Sequence, residues 1–377
     1  MEEIIYKTNS DVSQERVYNN YISSLKGIAC VCVMLGHFLG IIKYASSLPQ
    51  PIMQLFNFLN KLHIGFLIDE SFWLYLFFII SGYLCARTKI KSLLQLIYKI
   101  IFRFLRLAMP ILCVNVFIFL IYKTIGFHNQ ETITIINNYW FQSAYLSELS
   151  FISLLKSPID TLIFSNCYFN SPFWVLRNML FASIFIYVCS YLKSKIRKDW
   201  IYAIGIFVVL IAFYVLDLII FACFVGGVLT YYNEQIKNNL TKNAQIAILI
   251  ITVVLYVLLQ NVLNMILLFS SIVLFIPNLK LANNMLEHKS LDYLGKISFG
   301  IYSFHWPIYC SISSLVLIYT HSSLGAFSFL LMMLVGFVCT FTLAILYYHF
   351  IEKYIFILLK KLEKLLMKKK VENVKNA

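Results

Sequence analysis

The sequence predicts an all-α, polytopic membrane protein with both termini in the cytoplasm, on the evidence of its composition, its apolar runs and its distribution of charge. Of its 377 residues, 60% are hydrophobic and 13% are charged, whereas soluble domains are roughly 45–50% apolar and about 25% charged. This chain has too much apolar surface for a water-soluble fold. Its net charge of +14 then fits cytoplasmic loops better than a nucleic-acid partner.

Ten apolar runs predict membrane-spanning helices, since a helix needs roughly 20 apolar residues to cross a bilayer. The first run follows a polar segment without a signal-peptide pattern, so we expect it to remain in the protein as a helix. Polar or basic residues separate the later runs, and the closest divisions are at Asp217 and Asn261. The predicted spans are residues 22–42, 72–86, 107–125, 173–192, 200–216, 218–232, 244–261, 262–277, 297–319 and 324–348.

The distribution of basic residues tests this layout independently. With the N-terminus in the cytoplasm, 26 of the 31 lysines and arginines lie on, or enter from, the cytoplasmic side, Lys7, Arg197 and Lys237 among them. Cytoplasmic loops of membrane proteins carry such an excess. We therefore predict a cytoplasmic tail (residues 1–21), a membrane domain (22–352) and a basic cytoplasmic tail (353–377) that anchors the topology and contacts lipid.

Two long segments lie on the opposite side, at residues 43–71 and 126–172. Loops of this length are usually functional or disordered. The second is rich in aromatic residues around Tyr139 and Trp140, so we expect it either to pack over the bundle or to contact a sugar.

The nine cysteines do not form a recognisable framework. Eight lie in apolar runs, where a thiol behaves as a small hydrophobe, and Cys167 lies in a polar loop. No Cys/His set has the spacing of zinc ligands, so we expect neither disulfides nor a metal.

Ionisable side chains inside the predicted spans are costly in lipid and are candidates for function. Lys26 and His37 are eleven residues apart, which at ~100° per residue places both on one face of the first helix. Ser298, Tyr302 and His305 share a face of the ninth. Two imidazoles at comparable depth indicate a buried acid–base site, because imidazole exchanges protons near neutral pH. The alternatives are a structural hydrogen bond in the first span and a polar helix–helix clasp in the ninth.

Three arginines near the ends of spans are also candidates. Arg103 and Arg106 lie one turn apart where the third span leaves the cytoplasm, and a guanidinium pair suits the phosphates of a cofactor. Cytoplasmic anchoring explains the pair equally well. Arg177, on the outer half of the fourth span, needs a partner in lipid, for which Asp69, Glu70 or a substrate are the candidates.

Five motifs follow one another from the first predicted span to the last, and together they resemble the acyltransferase type 3 family of membrane proteins. The resemblance extends over nearly the whole chain. The motifs are Lys26-x10-His37, Phe77-Phe78-x-x-Ser81-Gly82, Arg103-x-x-Arg106 with Pro110, Ser298-x-x-x-Tyr302-x-x-His305, and Phe350-Ile351-Glu352-Lys353.

The resemblance implies a multi-pass enzyme of the bacterial inner membrane that transfers an acyl group, usually acetyl from cytoplasmic acetyl-CoA, to a hydroxyl. The acceptor would be a surface glycan or its lipid-linked precursor, with no nucleic acid involved. Where many members carry Trp-Ser-Leu-x-x-Glu, this chain has Trp174-Val175-Leu176-Arg177. The predicted site comprises catalytic His37, His305, Tyr302 and Ser298, donor-binding Lys26, Arg103, Arg106 and Ser81, and acceptor-binding Trp174 and Arg177.

Two other classes of membrane protein share some of these features. A transporter or flippase for a lipid-linked saccharide would use the buried histidines for proton coupling, but it would favour inverted repeats, and we find none in the sequence. A glycan polymerase would carry key arginines in its long outer loop, whereas residues 126–172 contain Lys156 and no arginine. The sequence therefore favours the acyltransferase, with the transporter as the alternative.

Overall fold

The computed structural model describes residues 9–43, 45, 50–196, 198–234 and 239–375, and over these ranges the chain is built from helices. No strand occurs among them, and the one β-type pairing is an isolated bridge between Ala45 and Ile136. The predicted all-α fold class is confirmed. Lys7, Arg197 and Lys237, which are predicted to be cytoplasmic, lie outside the described residues.

The α-helices of the described residues are numbered here in chain order, and short 3-10 or π-helical turns join several of them. They are α1 (Asn9–Ile42), α2 (Gln50–Lys61), α3 (Glu70–Ala86), α4 (Leu93–Thr124), α5 (Tyr139–Gln142), α6 (Phe151–Ile159), α7 (Trp174–Lys193), α8 (Asp199–Val215), α9 (Ile219–Tyr232), α10 (Lys242–Leu259), α11 (Val262–Phe275), α12 (Lys280–Leu286), α13 (Lys289–Lys296), α14 (Ser298–Ile308), α15 (Ser314–Leu324), α16 (Phe327–Tyr347) and α17 (Lys353–Lys375).

Helices occupy the position of every predicted span. In the described part of the chain, six helical segments are long and apolar enough to cross a membrane, and four shorter apolar helices coincide with the remaining predictions. The polytopic membrane architecture is confirmed, while the total of ten spans and the cytoplasmic side of the termini stay predictions. The six long segments are Asn20–Ile42, Leu93–Thr124, Ser171–Lys193, Lys242–Leu259, Ser298–Leu324 and Phe327–Leu366.

Some helix boundaries differ from those of the predicted spans, because a helix can continue through charged residues. α4 begins at Leu93, well before the predicted start at residue 107, because Ser92 caps it by accepting a hydrogen bond from the Gln95 amide. Charged residues end an apolar run, but they do not end a helix. The predicted divisions are correct, since Asp217 and Gln260 adopt the left-handed conformation, with φ of 57° and 42°, and interrupt the helices there.

The first helix lies at the centre of the fold and packs against α3, α13 and α14. Two glycines allow the close approach. A Cβ at position 27 would lie 2.6 Å from the backbone nitrogen of Gly295, and one at position 36 would lie 2.8 Å from that of Glu70. Small residues at helix contacts are the usual means of close packing in membranes. The two glycines thereby let α1 approach α13 and α3 closely.

Candidate active site

The two predicted histidines meet at one end of the bundle. His37 lies near the end of α1 and His305 lies on α14, with His37 Nδ1 3.0 Å from His305 Nε2. Their rings are nearly parallel, at 14°, with centroids 5.0 Å apart. His305 is fully buried, whereas His37 is partly exposed. The structure thus joins two side chains from opposite ends of the sequence into one hydrogen-bonded pair.

Hydrogen bonds assign the tautomer of each ring. His305 Nδ1 lies 3.2 Å from the backbone carbonyl oxygen of Ile301, and because a carbonyl only accepts, Nδ1 must donate. In the neutral ring the Nε2 of His305 is then an acceptor, so His37 donates its Nδ1–H to it. His37 Nε2 keeps its lone pair as a result. The backbone carbonyl therefore prepares His37 to act as a base through Nε2.

Two tryptophans surround the His37 ring. Trp140 stacks on it with centroids 5.7 Å apart, and Trp306 meets it edge-on at 5.9 Å. The two indoles contact each other at 4.4 Å. Trp306 is fully buried and its Nε1–H has no hydrogen-bond partner among the described residues. Trp306 was not among the predicted site residues, and its position directly after His305 was the one available signal.

A cavity of about 310 Å³ adjoins this aromatic wall. Its size is at the lower end of the roughly 300–1,000 Å³ range of small-molecule sites. Because Trp140 and Trp306 both line it and both contact His37, the cavity lies next to the histidine pair. The remaining lining residues are Ser143, Ala144, Tyr145, Leu146, Ser147, Cys167, Tyr168 and Ser171.

The aromatic outer segment, residues 126–172, is fastened to the bundle by amide side chains. Asn138 Nδ2 donates to the Gly40 carbonyl at 3.0 Å, which holds the segment against the end of α1. Within the segment, Asn129 Nδ2 donates to the Phe141 carbonyl at 2.7 Å. Of the two expectations for this segment, packing over the bundle is confirmed, and Trp140 is held beside His37 as a consequence.

A proline in α14 supplies a further anchor. Pro307 has no N–H, so the carbonyl of Ser303, one turn earlier, lacks its helical donor. Asn170 Nδ2 donates to that carbonyl at 2.7 Å. The last part of the outer segment is thereby docked on the helix that carries His305.

The predicted hydroxyl residues of α14 are already hydrogen-bonded to backbone. Ser298 Oγ donates to the Gly295 carbonyl at 2.8 Å, and the Tyr302 hydroxyl donates to the Pro172 carbonyl. The Tyr302 ring lies 5.9 Å from that of His305, centroid to centroid. Neither hydroxyl proton is directed at the histidine pair in this arrangement, so a direct catalytic role for them stays a prediction.

Lys26 lies on the same face of α1 as His37, toward the other end of the helix. Between them, Cys30 Sγ donates to the Ser298 carbonyl at 3.0 Å, which keeps α1 and α14 in contact. Lys26 interacts electrostatically with Glu352 and Asp292. Glu352 is buried, and its Oε2 has no hydrogen-bond partner in the described residues. The predicted polar face of α1 therefore contacts α14, and its ionisable residues, Lys26 and His37, lie on either side of the Cys30 hydrogen bond.

The two predicted phosphate-binding arginines lie beside α17, where their environments differ. Arg106 Nη2 lies 2.7 Å from Glu363 Oε2, and Lys99 Nζ lies 2.7 Å from Glu363 Oε1. Arg103 Nε, in contrast, is buried without a hydrogen-bond partner among the described residues. No hydrogen bond or ion pair in those residues joins either arginine to the histidines, nor does one join Ser81, which is partly exposed on α3.

The predicted acceptor-binding residues on α7 lie apart from the cavity. Arg177 Nε donates to the Ile163 carbonyl at 3.1 Å, and its guanidinium lies 5.2 Å from the centre of the Phe181 ring. A carbonyl and a ring, not Asp69 or Glu70, therefore surround this cation. Trp174 is 45% exposed and does not line the cavity. Acceptor binding by these two residues stays a prediction.

Comparison with known proteins gives one family. A family model described as an acyltransferase domain matches residues 19–349. No curated protein and no solved structure matches the chain. The matched range contains every predicted site residue, together with the histidine pair and the cavity.

Proposed function

We propose, from the premise that this chain belongs to the acyltransferase type 3 family, that it transfers an acetyl group from cytoplasmic acetyl-CoA to a hydroxyl of a surface glycan or its lipid-linked precursor. The chain is a membrane acyltransferase by fold and family; the donor, the acceptor and a bacterial inner-membrane location are proposals. The observation that carries them is the hydrogen-bonded pair of His37 and His305 beside a cavity. A hydroxyl nucleophile needs a base of this kind.

The pair supports direct transfer by general-base catalysis. Acetyl-CoA supplies a thioester, which is already activated. His37 Nε2 accepts the proton of the acceptor hydroxyl while the hydroxyl oxygen forms a bond to the acyl carbon. As the carbon–sulfur bond breaks, the same nitrogen returns the proton to the departing sulfur. His305 Nε2, backed by the Ile301 carbonyl, stabilises the charge that His37 carries between the two transfers.

The residues that would hold the donor phosphates are on α4. A buried N–H without a partner, as at Arg103 Nε, is costly unless an acceptor meets it. A phosphate oxygen meets that requirement, and guanidinium groups bind phosphate well. Arg106 is paired with Glu363 instead, so a phosphate would compete with a carboxylate there. The structure therefore favours Arg103 as the main phosphate contact.

Replacement of Arg103 by alanine is expected to weaken acetyl-CoA binding by about 10- to 100-fold, since a charge-assisted hydrogen bond contributes roughly 1.5–3 kcal/mol. Arg106→Ala is the matched control and should lose less, because its guanidinium is already paired. Calorimetric titration of the purified protein in detergent measures both dissociation constants. Unchanged affinity in both variants would leave the arginines as cytoplasmic anchors.

Proton NMR of the host's purified surface polysaccharide, with and without the gene and before and after mild base, tests the function. We expect an O-acetyl signal that disappears with the gene and returns with the wild-type copy. An unchanged acetyl pattern with less polymer at the surface would instead indicate a transporter or flippase. An unchanged glycan would contradict a surface polysaccharide as acceptor.

A further inference from the structure

The cavity beside His37 has aromatic surfaces on two sides. Trp140 is 42% exposed and Tyr168 is 51% exposed, although both lie in a segment that is fastened to the bundle. Flat, exposed aromatic rings are suited to the apolar faces of sugar rings, which carry C–H groups above and below the hydroxyls. Since neither ring is buried by the protein, a ligand can cover them.

Hydrogen-bonding groups occur between these aromatic surfaces. Ser143, Ser147 and Ser171 each add a hydroxyl to the lining. A polyol has the complementary groups, because each of its hydroxyls both donates and accepts.

The lining carries no charge. None of its ten residues is Asp, Glu, Lys, Arg or His. Burial raises the pKa of the Cys167 thiol to about 11 and that of the Tyr145 hydroxyl well above its usual value. Both groups are therefore neutral at physiological pH. The carboxylate of an anionic sugar, such as a uronic or sialic acid, would lose water on binding here and gain no cation in exchange.

We propose that this cavity is the acceptor subsite and that it binds an uncharged sugar ring, with Trp140 and Tyr168 against the ring and the serine hydroxyls as its polar partners. The proposal rests on the acyl-transfer function proposed above. Because Trp140 lines the cavity and also stacks on His37, the cavity and the base share one aromatic residue.

The test uses the purified full-length protein in detergent, radiolabelled acetyl-CoA and methyl glycosides as acceptors. The neutral probes are the glycosides of glucose, galactose, mannose and rhamnose, and the anionic probes are those of glucuronic and N-acetylneuraminic acid. We expect label on one or more neutral glycosides and at least tenfold less on either anionic one. Comparable transfer to an anionic glycoside would overturn the assignment of a neutral ring.

Variants at position 140 test the location. Trp140→Ala is expected to raise the acceptor KM about tenfold or more while leaving the KM for acetyl-CoA unchanged, and Trp140→Phe should recover part of the loss. Tyr139→Ala is the matched control, since Tyr139 is the neighbouring aromatic residue, is 84% exposed and does not line the cavity. An unchanged acceptor KM in Trp140→Ala, or an equal rise in the control, would overturn the location.

Failure of the function and failure of the subsite give different results. If the wild-type protein transfers no label to any glycoside or to the host's own glycan, acyl transfer itself is contradicted, and the subsite with it. If the wild type transfers label but prefers anionic acceptors or is indifferent to Trp140, the subsite alone is wrong. Quenching of tryptophan fluorescence by the neutral glycosides, measured without acetyl-CoA, gives a readout that does not depend on activity.

Discussion

Replacement of His37 by alanine is expected to reduce acetyl transfer by about 10²–10⁴-fold, the usual contribution of a general base. The reason is the lone pair on Nε2, which the hydrogen bond from Nδ1–H to His305 leaves free. The His37 ring is partly exposed, so its removal should leave the helical packing and the level of protein in the membrane intact. Transfer of label from acetyl-CoA by the purified protein measures the loss.

A second histidine of the membrane domain provides the control for this variant. His321 lies in α15, where its Nδ1 is 3.0 Å from Ser328 Oγ, and in the described part of the chain no hydrogen bond or ring contact joins it to the candidate site. His321→Ala should therefore retain transfer, although it also removes a hydrogen-bonded imidazole. Full activity in His37→Ala would exclude His37 as the base and leave it as a structural residue.

Two substitutions of His305 are expected to differ sharply from each other. A glutamine side chain reaches about as far as Nε2 of histidine, so His305→Gln can still accept the proton of His37 Nδ1. An asparagine reaches only about as far as Nδ1, so His305→Asn keeps the link to Ile301 but loses the link to His37. Loss of the partner that orients a catalytic histidine costs up to about 10⁴-fold. We expect the asparagine variant to approach that loss and the glutamine variant to keep most of the activity.

The separate effects of the His305 substitutions on kcat and KM distinguish a residue that positions His37 from one that only packs two helices together. A residue that orients the base lowers kcat and leaves the acceptor KM close to its wild-type value, because the cavity is unchanged. Single-variant kinetics over a range of acceptor concentrations supply both constants. Equal losses in the glutamine and asparagine variants would show that His305 is the polar helix–helix clasp that the sequence left open as an alternative.

Local helix geometry made much of the site predictable. The spacing of Lys26 and His37 in one helix, and of Ser298, Tyr302 and His305 in another, depends only on the helical repeat. The two faces do lie against each other, with Cys30 bonded to the Ser298 carbonyl and the histidines 3.0 Å apart. Pairing of helices that are distant in sequence was inferred only from their shared polarity and depth.

Contacts between distant segments were not predictable in the same way. Tyr302 donates to the carbonyl of Pro172, a group that every residue carries and that no sequence pattern marks. Arg106 and Lys99 share Glu363, which lies in a predicted basic tail. The role of Trp306 was missed for a similar reason. A tryptophan in an apolar run is predicted to be a core residue whether or not its N–H has a hydrogen-bond partner.

The hydrogen bond to the Ser303 carbonyl affects how firmly the outer segment, residues 126–172, stays on the bundle during turnover. If the outer segment lifted away, Asn170 would leave this carbonyl bare in an apolar layer, at a cost of roughly 1–3 kcal/mol, and the bond from Asn138 to Gly40 would be lost as well. The docked arrangement of the outer segment is therefore favoured over a lifted one, which a cost of this size leaves as a minor state. For the proposed enzyme, the wall that carries Trp140 is in place before a sugar binds, so binding does not have to supply the free energy that orders it.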